Sequence, residues 1–136
     1  MIIKSVYIEI TNRCNLDCRD CYNSSGRNRE TVELDPEVLL RFITDLKVRY
    51  HVRSVTLSGG EPLLHTQIDR ILKSISELSV RDSEMDFNFI TNGTLDNALF
   101  YELMERNPHF YLQISLDGPN EAANASMRSS AIVKPA

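Results

Sequence analysis

Residues 53–79 read RSVTLSGGEPLLHTQIDRILKSISELS, and this stretch decides the fold class. Residues 53–58 predict a strand, which Gly59-Gly60 interrupts. From about residue 65 to residue 79, apolar side chains recur at helical spacing: Ile68, Ile71, Leu72, Ile75 and Leu78. A strand followed directly by an amphipathic helix is the repeating unit of α/β folds.

The same unit is predicted on both sides of this stretch. Residues 5–11 alternate apolar and polar side chains and predict a first strand. A helix is expected to begin at Asp35-Pro36, because Asp caps helices well and Pro fits the first helical position. Residues 85–91 and 110–116 predict a third and a fourth strand with an amphipathic helix between them. The Asn-, Ala- and Ser-rich tail can start a fourth helix.

This alternation predicts a parallel sheet with right-handed crossovers. We expect one domain over residues 1–136, since 136 residues is the size of one domain, with βα units to about residue 128. No apolar run approaches the roughly 18 residues of a membrane span, and no export signal is visible, which predicts a cytoplasmic protein without membrane contact. The net charge of -4 argues against a nucleic-acid surface.

Small polar residues follow every predicted strand. In a parallel α/β sheet these strand ends lie on one side, which is where such folds build active sites. Each Gly cluster alone is a weak signal, because strand-to-helix turns use Gly for steric reasons. The four clusters are Thr11 before the cysteines, Ser58-Gly59-Gly60, Thr91-Asn92-Gly93 and Ser115-Leu116-Asp117-Gly118.

All three cysteines, Cys14, Cys18 and Cys21, lie in one polar loop predicted over residues 12–34. An odd number of cysteines cannot all pair within the chain, and clustering argues against incidental buried thiols. A structural zinc site needs four ligands, and the nearest His, His51, lies in another segment. Three thiolates with an open fourth position suit an iron–sulfur cluster that binds something else there. Zinc remains the alternative.

Cys14-x-x-x-Cys18-x-x-Cys21 resembles the cluster motif of radical S-adenosylmethionine enzymes. The resemblance continues through Gly59-Gly60-Glu61-Pro62 and through the polar residues after the third and fourth strands. The peptide- and protein-modifying members, such as anaerobic sulfatase maturases and ribosomal-peptide maturases, are the most similar. The resemblance implies a partial (β/α) barrel, and this chain is expected to stop after the fourth strand of a six-unit core.

The resemblance also implies the chemistry. Cys14, Cys18 and Cys21 would hold a [4Fe–4S] cluster whose fourth iron binds S-adenosylmethionine, with an electron donor such as flavodoxin or ferredoxin. Reductive cleavage then yields a 5′-deoxyadenosyl radical that abstracts hydrogen from the substrate. The protein positions the cofactor and keeps out competing quenchers.

Several residues are expected to contact the cofactor. Gly59 and Gly60 would let the backbone approach the methionyl amine. Glu61 would either accept a hydrogen bond there or stabilise the turn, and Pro62 sets the exit from it. Asn92 is a further candidate, and its alternative role is to form the turn before Gly93. Ser115 and Asp117 are candidates because they share the polar face of the predicted fourth strand. Arg128 is expected to pair with the methionyl carboxylate.

Two features depart from the family pattern. Asp20 stands where the family usually has a ring that contacts adenine, with Tyr22 as a substitute. The last two βα units of the family core are expected to be absent, so the chain is interpreted as a fragment, a truncated gene product, or half of a split enzyme whose partner chain completes the barrel. The leading function is a radical S-adenosylmethionine enzyme domain that acts on a peptide or protein. The alternatives are a cofactor-binding module without independent turnover and a zinc-stabilised interaction domain.

Overall fold

The computed structural model describes residues 2–25, 30–82 and 84–128, so residues 26–29 of the predicted cysteine loop and the tail from residue 129 lie outside the described residues. The strands are β1 Ser5–Thr11, β2 Ser54–Gly59, β3 Asp86–Thr91 and β4 Phe110–Ile114. The helices are α1 Pro36–Tyr50, α2 Ile68–Arg81, α3 Ala98–Arg106 and α4 Glu121–Arg128.

The four strands form one parallel sheet in the order β1-β2-β3-β4, which confirms the predicted α/β class. Strand β4 ends at Ile114, earlier than the predicted residue 116. Ile114 pairs with Thr91, the last residue of β3, and beyond it only the Ser115 amide still reaches β3, at the Thr91 carbonyl.

Side-chain capping hydrogen bonds mark the starts of α1 and α3. The Asp35 carboxylate accepts hydrogen bonds from the amides of Glu37 and Val38, and α1 ends at His51 in a left-handed conformation. Helix α2 begins later than predicted, because a short 3₁₀ turn at Pro62–Leu64 comes first. Within the described ranges, no helix is long and apolar enough to cross a membrane.

The two faces of the sheet differ in character. One face packs against α1, α2 and α3 and carries the core, including Phe87 and Phe89, whose rings contact Phe100 and Phe110 at centroid distances of 5.3–5.9 Å. The other face is polar. Its central row, aligned by the strand register, consists of Tyr7, Thr56, Asn88 and Tyr111.

Strand β4 is an edge of the sheet and is only partly covered. Among the described residues it pairs with β3 alone. Phe110 is buried, but Leu112, Ile114 and Leu116 are 40%, 45% and 61% exposed. Unpaired backbone groups beside an apolar face are a template for association.

We expect the isolated chain to self-associate through β4, and sedimentation velocity over a concentration series measures this. A Leu112→Lys and Ile114→Lys double variant should shift the protein toward monomer, because charge on an edge strand opposes pairing. Val80→Lys is the control, since Val80 is also exposed but lies on α2. A wild-type chain that stays monomeric at every concentration would contradict the expectation.

Candidate cofactor site

The strand ends and the cysteine loop enclose a cavity of about 350 Å³. The structure therefore brings together residues that are far apart in sequence, as the strand-end pattern predicted. Of the predicted site residues, the cavity is lined by Cys14, Cys18, Asp20, Cys21, Tyr22, Gly59, Gly60, Asn92, Ser115, Asp117 and Arg128. Glu61 and Pro62 are not among the lining residues.

The three cysteines are not joined in disulfides, and each is half-buried. Burial raises the pKa of the Cys14 thiol, although a hydrogen bond from the Leu16 amide acts to lower it. Burial likewise raises the pKa of the Cys18 thiol, although the charge of Arg128 acts to lower it. Over the described residues, no three His, Cys, Asp or Glu side chains are arranged around one metal-ion position. Three thiols facing one cavity fit a [4Fe–4S] cluster, because its thiolates bind separate irons. Cluster binding would displace their protons.

The two glycines after β2 dock the cysteine loop. The Gly60 amide donates to the Thr11 carbonyl at 2.8 Å, and the Glu61 amide donates to the Arg13 carbonyl at 2.7 Å. A Cβ on Gly60 would lie 2.2 Å from the Arg13 oxygen, and one on Gly59, where φ is +140°, would lie 2.1 Å from the Thr11 oxygen. The glycines line the cavity and also let the backbone of the cysteine loop approach closely. The sequence interpretation had explained the glycines by close approach of the cofactor alone.

The Glu61 side chain is fully buried and joins two strand ends. Its Oε1 accepts from the Leu63 amide at 3.1 Å and from the Thr91 hydroxyl at 2.8 Å, and its Oε2 accepts from the Asn92 amide at 2.7 Å. Burial raises its pKa in spite of these three hydrogen bonds. Pro62 begins the 3₁₀ turn beside it. The structure thus favours the turn-stabilising interpretation of Glu61 over a side-chain contact with the cofactor.

Asn92 lines the cavity and also bridges to the cysteine loop. Its Nδ2 donates to Asn15 Oδ1 at 2.9 Å, and its Oδ1 accepts from the amide and hydroxyl of Thr94 at 3.0 and 2.7 Å. The Asn15 Nδ2 in turn donates to the Thr94 hydroxyl at 2.8 Å. Asn92 therefore has the turn role that was predicted as its alternative, and it also lies next to the cavity.

Helix α4 closes one side of the cavity. The Arg128 side chain is buried, and its Nε lies 2.5 Å from Asp117 Oδ2. The Arg19 amide donates to the Met127 carbonyl at 2.9 Å, which fixes the end of α4 against the cysteine loop. Ser115 borders the same space, and its amide donates to the Thr91 carbonyl at 3.0 Å. In the described structure the buried guanidinium is paired with Asp117.

Tyr22 connects the loop to the polar face of the sheet. Its hydroxyl donates to Glu9 Oε1 at 2.8 Å and lies 2.8 Å from the Tyr7 hydroxyl, which donates to Ser58 Oγ at 2.6 Å. Burial and these hydrogen bonds hold the pKa of Tyr22 well above its usual range. Asp20 borders the cavity nearby.

Sequence reasoning missed several residues of the cavity wall. For Tyr7 the signal was available, because the alternation in β1 places it on the polar face. For the others no local pattern distinguishes the position. The missed lining residues are Tyr7, Leu16, Asn23, Ser25, Ile90 and Met127, whereas Ser58 and Thr91 belong to the strand-end clusters predicted above.

A parallel βα sheet with a three-cysteine loop at its strand ends is the arrangement of the Radical SAM superfamily. Residues 8–133 match that family, and the chain belongs to it. Members of this family are enzymes that bind a [4Fe–4S] cluster and S-adenosylmethionine. The family match therefore favours the cluster over the zinc alternative.

Relatives and solved structures agree with this assignment. A probable GTP 3′,8-cyclase of Methanocella arvoryzae is 38% identical over 76% of this chain and 31% of its own length. SuiB of Streptococcus suis, solved with S-adenosylmethionine, superposes with a TM-score of 0.79 at 22% identity over 94% of this chain and 28% of SuiB. The AdoMet-bound anSMEcpe superposes with a TM-score of 0.70 at 23% identity over 93% of this chain and 36% of that protein.

The two superpositions establish the fold, and a partial barrel accords with them. The chain spans less than half the length of the curated relatives it matches. The resemblance to radical S-adenosylmethionine enzymes is thus confirmed. The names of the relatives and of the solved structures point to different substrates, a nucleotide in one case and a peptide in the other.

Proposed function

We propose that this chain is the cluster- and cofactor-binding part of a radical S-adenosylmethionine enzyme, with Cys14, Cys18 and Cys21 as the cluster ligands. The observation that carries the proposal is that all three thiols line one cavity at the carboxyl ends of the strands. Spacing in sequence alone does not guarantee this convergence. A [4Fe–4S] cluster with S-adenosylmethionine supplies the electron transfer and the carbon radical, and the protein holds and shields them.

The cofactor contacts are assigned to the remaining lining residues. The backbone at Gly59 and Gly60 takes the methionyl end, Asn92 and Ser115 offer hydrogen-bonding groups, and Asp117 with Arg128 offers a charged pair. Asp20 and Tyr22 also line the cavity, and the family resemblance assigns them to the adenine end of the cofactor. These roles rest on position along the cavity wall together with the family resemblance.

A peptide or protein is the substrate class we favour. The cavity wall is assigned to the cluster and the cofactor, so the preference comes from the motif resemblance to the peptide- and protein-modifying members. SuiB, whose fold is similar, has been solved with its precursor peptide. GTP is the second candidate, because of the names of the curated relatives.

The test is formation of 5′-deoxyadenosine by anaerobically reconstituted, chemically reduced protein, measured by mass spectrometry. We expect slow formation that is uncoupled from substrate, because the edge at β4 leaves the site open. Cys18→Ala is the control and should form none. A protein that binds cluster and cofactor yet never cleaves the cofactor would instead support the module without turnover. Acceleration by GTP but not by peptide would overturn the preferred substrate class.

Three further expectations remain predictions: an electron donor such as flavodoxin or ferredoxin, which the resemblance implies, a cytoplasmic location, which the sequence pattern predicts, and further strands added at β4, which the resemblance implies. The last would come from a partner chain or from more of the same protein. The exposed apolar side chains of β4 support it.

A further inference from the structure

The side chain of Glu33, in the segment after the cysteines, contacts polar groups from several segments of the chain. Its side chain is 15% exposed. Its carboxylate accepts from the Thr66 amide at 3.1 and 3.2 Å and from the Thr66 hydroxyl. The Thr11 hydroxyl and Arg13 Nη1 lie at 3.5 Å from its Oε1. Glu33 therefore contacts the start of the cysteine loop and the approach to α2 at once.

Arg13, which precedes Cys14, is fixed through both its side chain and its backbone. Its Nη1 donates to the Leu64 carbonyl at 2.9 Å in addition to contacting Glu33. Its own carbonyl accepts from the Glu61 amide at 2.7 Å. The position of Cys14 is thus set by the residue before it.

The two ends of the loop also pair directly. The Leu34 amide donates to the Ile10 carbonyl at 2.9 Å, and the Asn12 amide donates to the Val32 carbonyl at 3.1 Å. The Val32 amide donates to Asn12 Oδ1 at 2.9 Å. The base of the loop is closed by these hydrogen bonds and by the contacts of Glu33.

The charge state of Glu33 suits this role. Burial opposes its ionisation, but the hydrogen bonds from Thr66, the electrostatic interaction with His65 and the hydrogen bond from Arg13 outweigh burial and hold the pKa of Glu33 below its usual range. The carboxylate is therefore ionised at neutral pH, and hydrogen bonds to an ionised acceptor are stronger than neutral ones.

We propose that Glu33 is a positioning residue that fixes Cys14 for cluster binding by holding Arg13 against the turn after β2. This inference rests on the proposed function of the cysteines. A loop ordered beforehand loses less conformational entropy when it binds its cluster. Glu33 acts on the cluster through Arg13 and does not touch it.

The test compares Glu33→Ala with Glu37→Ala, which removes a more exposed carboxylate paired with Arg70. In the cluster-free protein, Glu33→Ala should speed amide hydrogen exchange at residues 11–16 by about tenfold, the size of effect expected for lost charged hydrogen bonds. In the reconstituted protein it should speed loss of visible absorption to an iron chelator by a similar factor. Glu37→Ala should change neither rate.

A stability-matched variant separates positioning from general destabilisation. Ile75→Val, in the core on α2, provides it. Arg13→Ala should mimic Glu33→Ala, and the double variant should be no worse than Arg13→Ala alone. Unchanged exchange at residues 11–16, additive effects, or cluster loss no faster than in the matched variant would overturn the inference. Failure of the wild-type chain to take up a cluster would overturn the proposed function, while the exchange measurement would still decide whether Glu33 holds the loop.

Discussion

Replacing Cys14, Cys18 or Cys21 by Ala, one at a time, is expected to abolish the cluster. Iron and sulfide should fall to background, and the broad visible absorption of thiolate-bound iron should disappear. The reason is that the proposed site has three thiolates and no spare ligand, since the chain has no other cysteine. Metal analysis and absorption spectra after anaerobic reconstitution measure the effect.

Ser25→Ala is a suitable control for these variants, because Ser25 is buried and lines the same cavity without offering a thiol. It should retain iron and sulfide at the wild-type level. Stoichiometric zinc bound by the wild-type chain in place of iron would contradict the assignment. So would full cluster content in any single cysteine variant.

Gly60→Ala is expected to lower both cluster content and affinity for S-adenosylmethionine, each by about tenfold or more. The added Cβ would lie 2.2 Å from the Arg13 carbonyl oxygen, so the loop must move away from the turn. Because Arg13 precedes Cys14, the movement displaces a proposed cluster ligand. Overpacking of this kind commonly costs about 1–3 kcal/mol, which corresponds to that change. Iron content and titration calorimetry measure the two effects.

Gly93→Asn is the matched glycine variant at another strand end. Gly93 has a φ of +72°, which Asn tolerates better than other side chains, and a Cβ there would lie 3.0 Å from Cγ2 of Ile114, a half-exposed side chain rather than packed backbone. This variant should keep its cluster. If Gly60→Ala instead keeps a full cluster and loses only cofactor affinity, the glycine serves the cofactor alone, as the sequence interpretation expected.

The sequence alone predicted the fold class, and it predicted that the cysteine loop and the strand ends lie together, where the structure has a cavity. Local periodicity specifies strands and helices, and their alternation admits few topologies. Strand ends share one rim in any parallel sheet, so the lining positions of Asn92, Ser115 and Asp117 were predictable. The roles of these residues toward a cofactor stay predictions.

The tertiary structure decided which neighbour each polar group meets. Glu61 stood next to two glycines in sequence, but its carboxylate reaches Thr91 and Asn92 on another strand. Glu33 carried no sequence signal, since its partner Thr66 lies on the far side of α1 and β2. Such contacts join segments distant in sequence, and no local pattern records them. The sequence determined which helices and strands form and on which side of the sheet the strand ends lie. The contacts of Gly60, Glu61 and Glu33 were decided by hydrogen bonding among these ends once they had packed together.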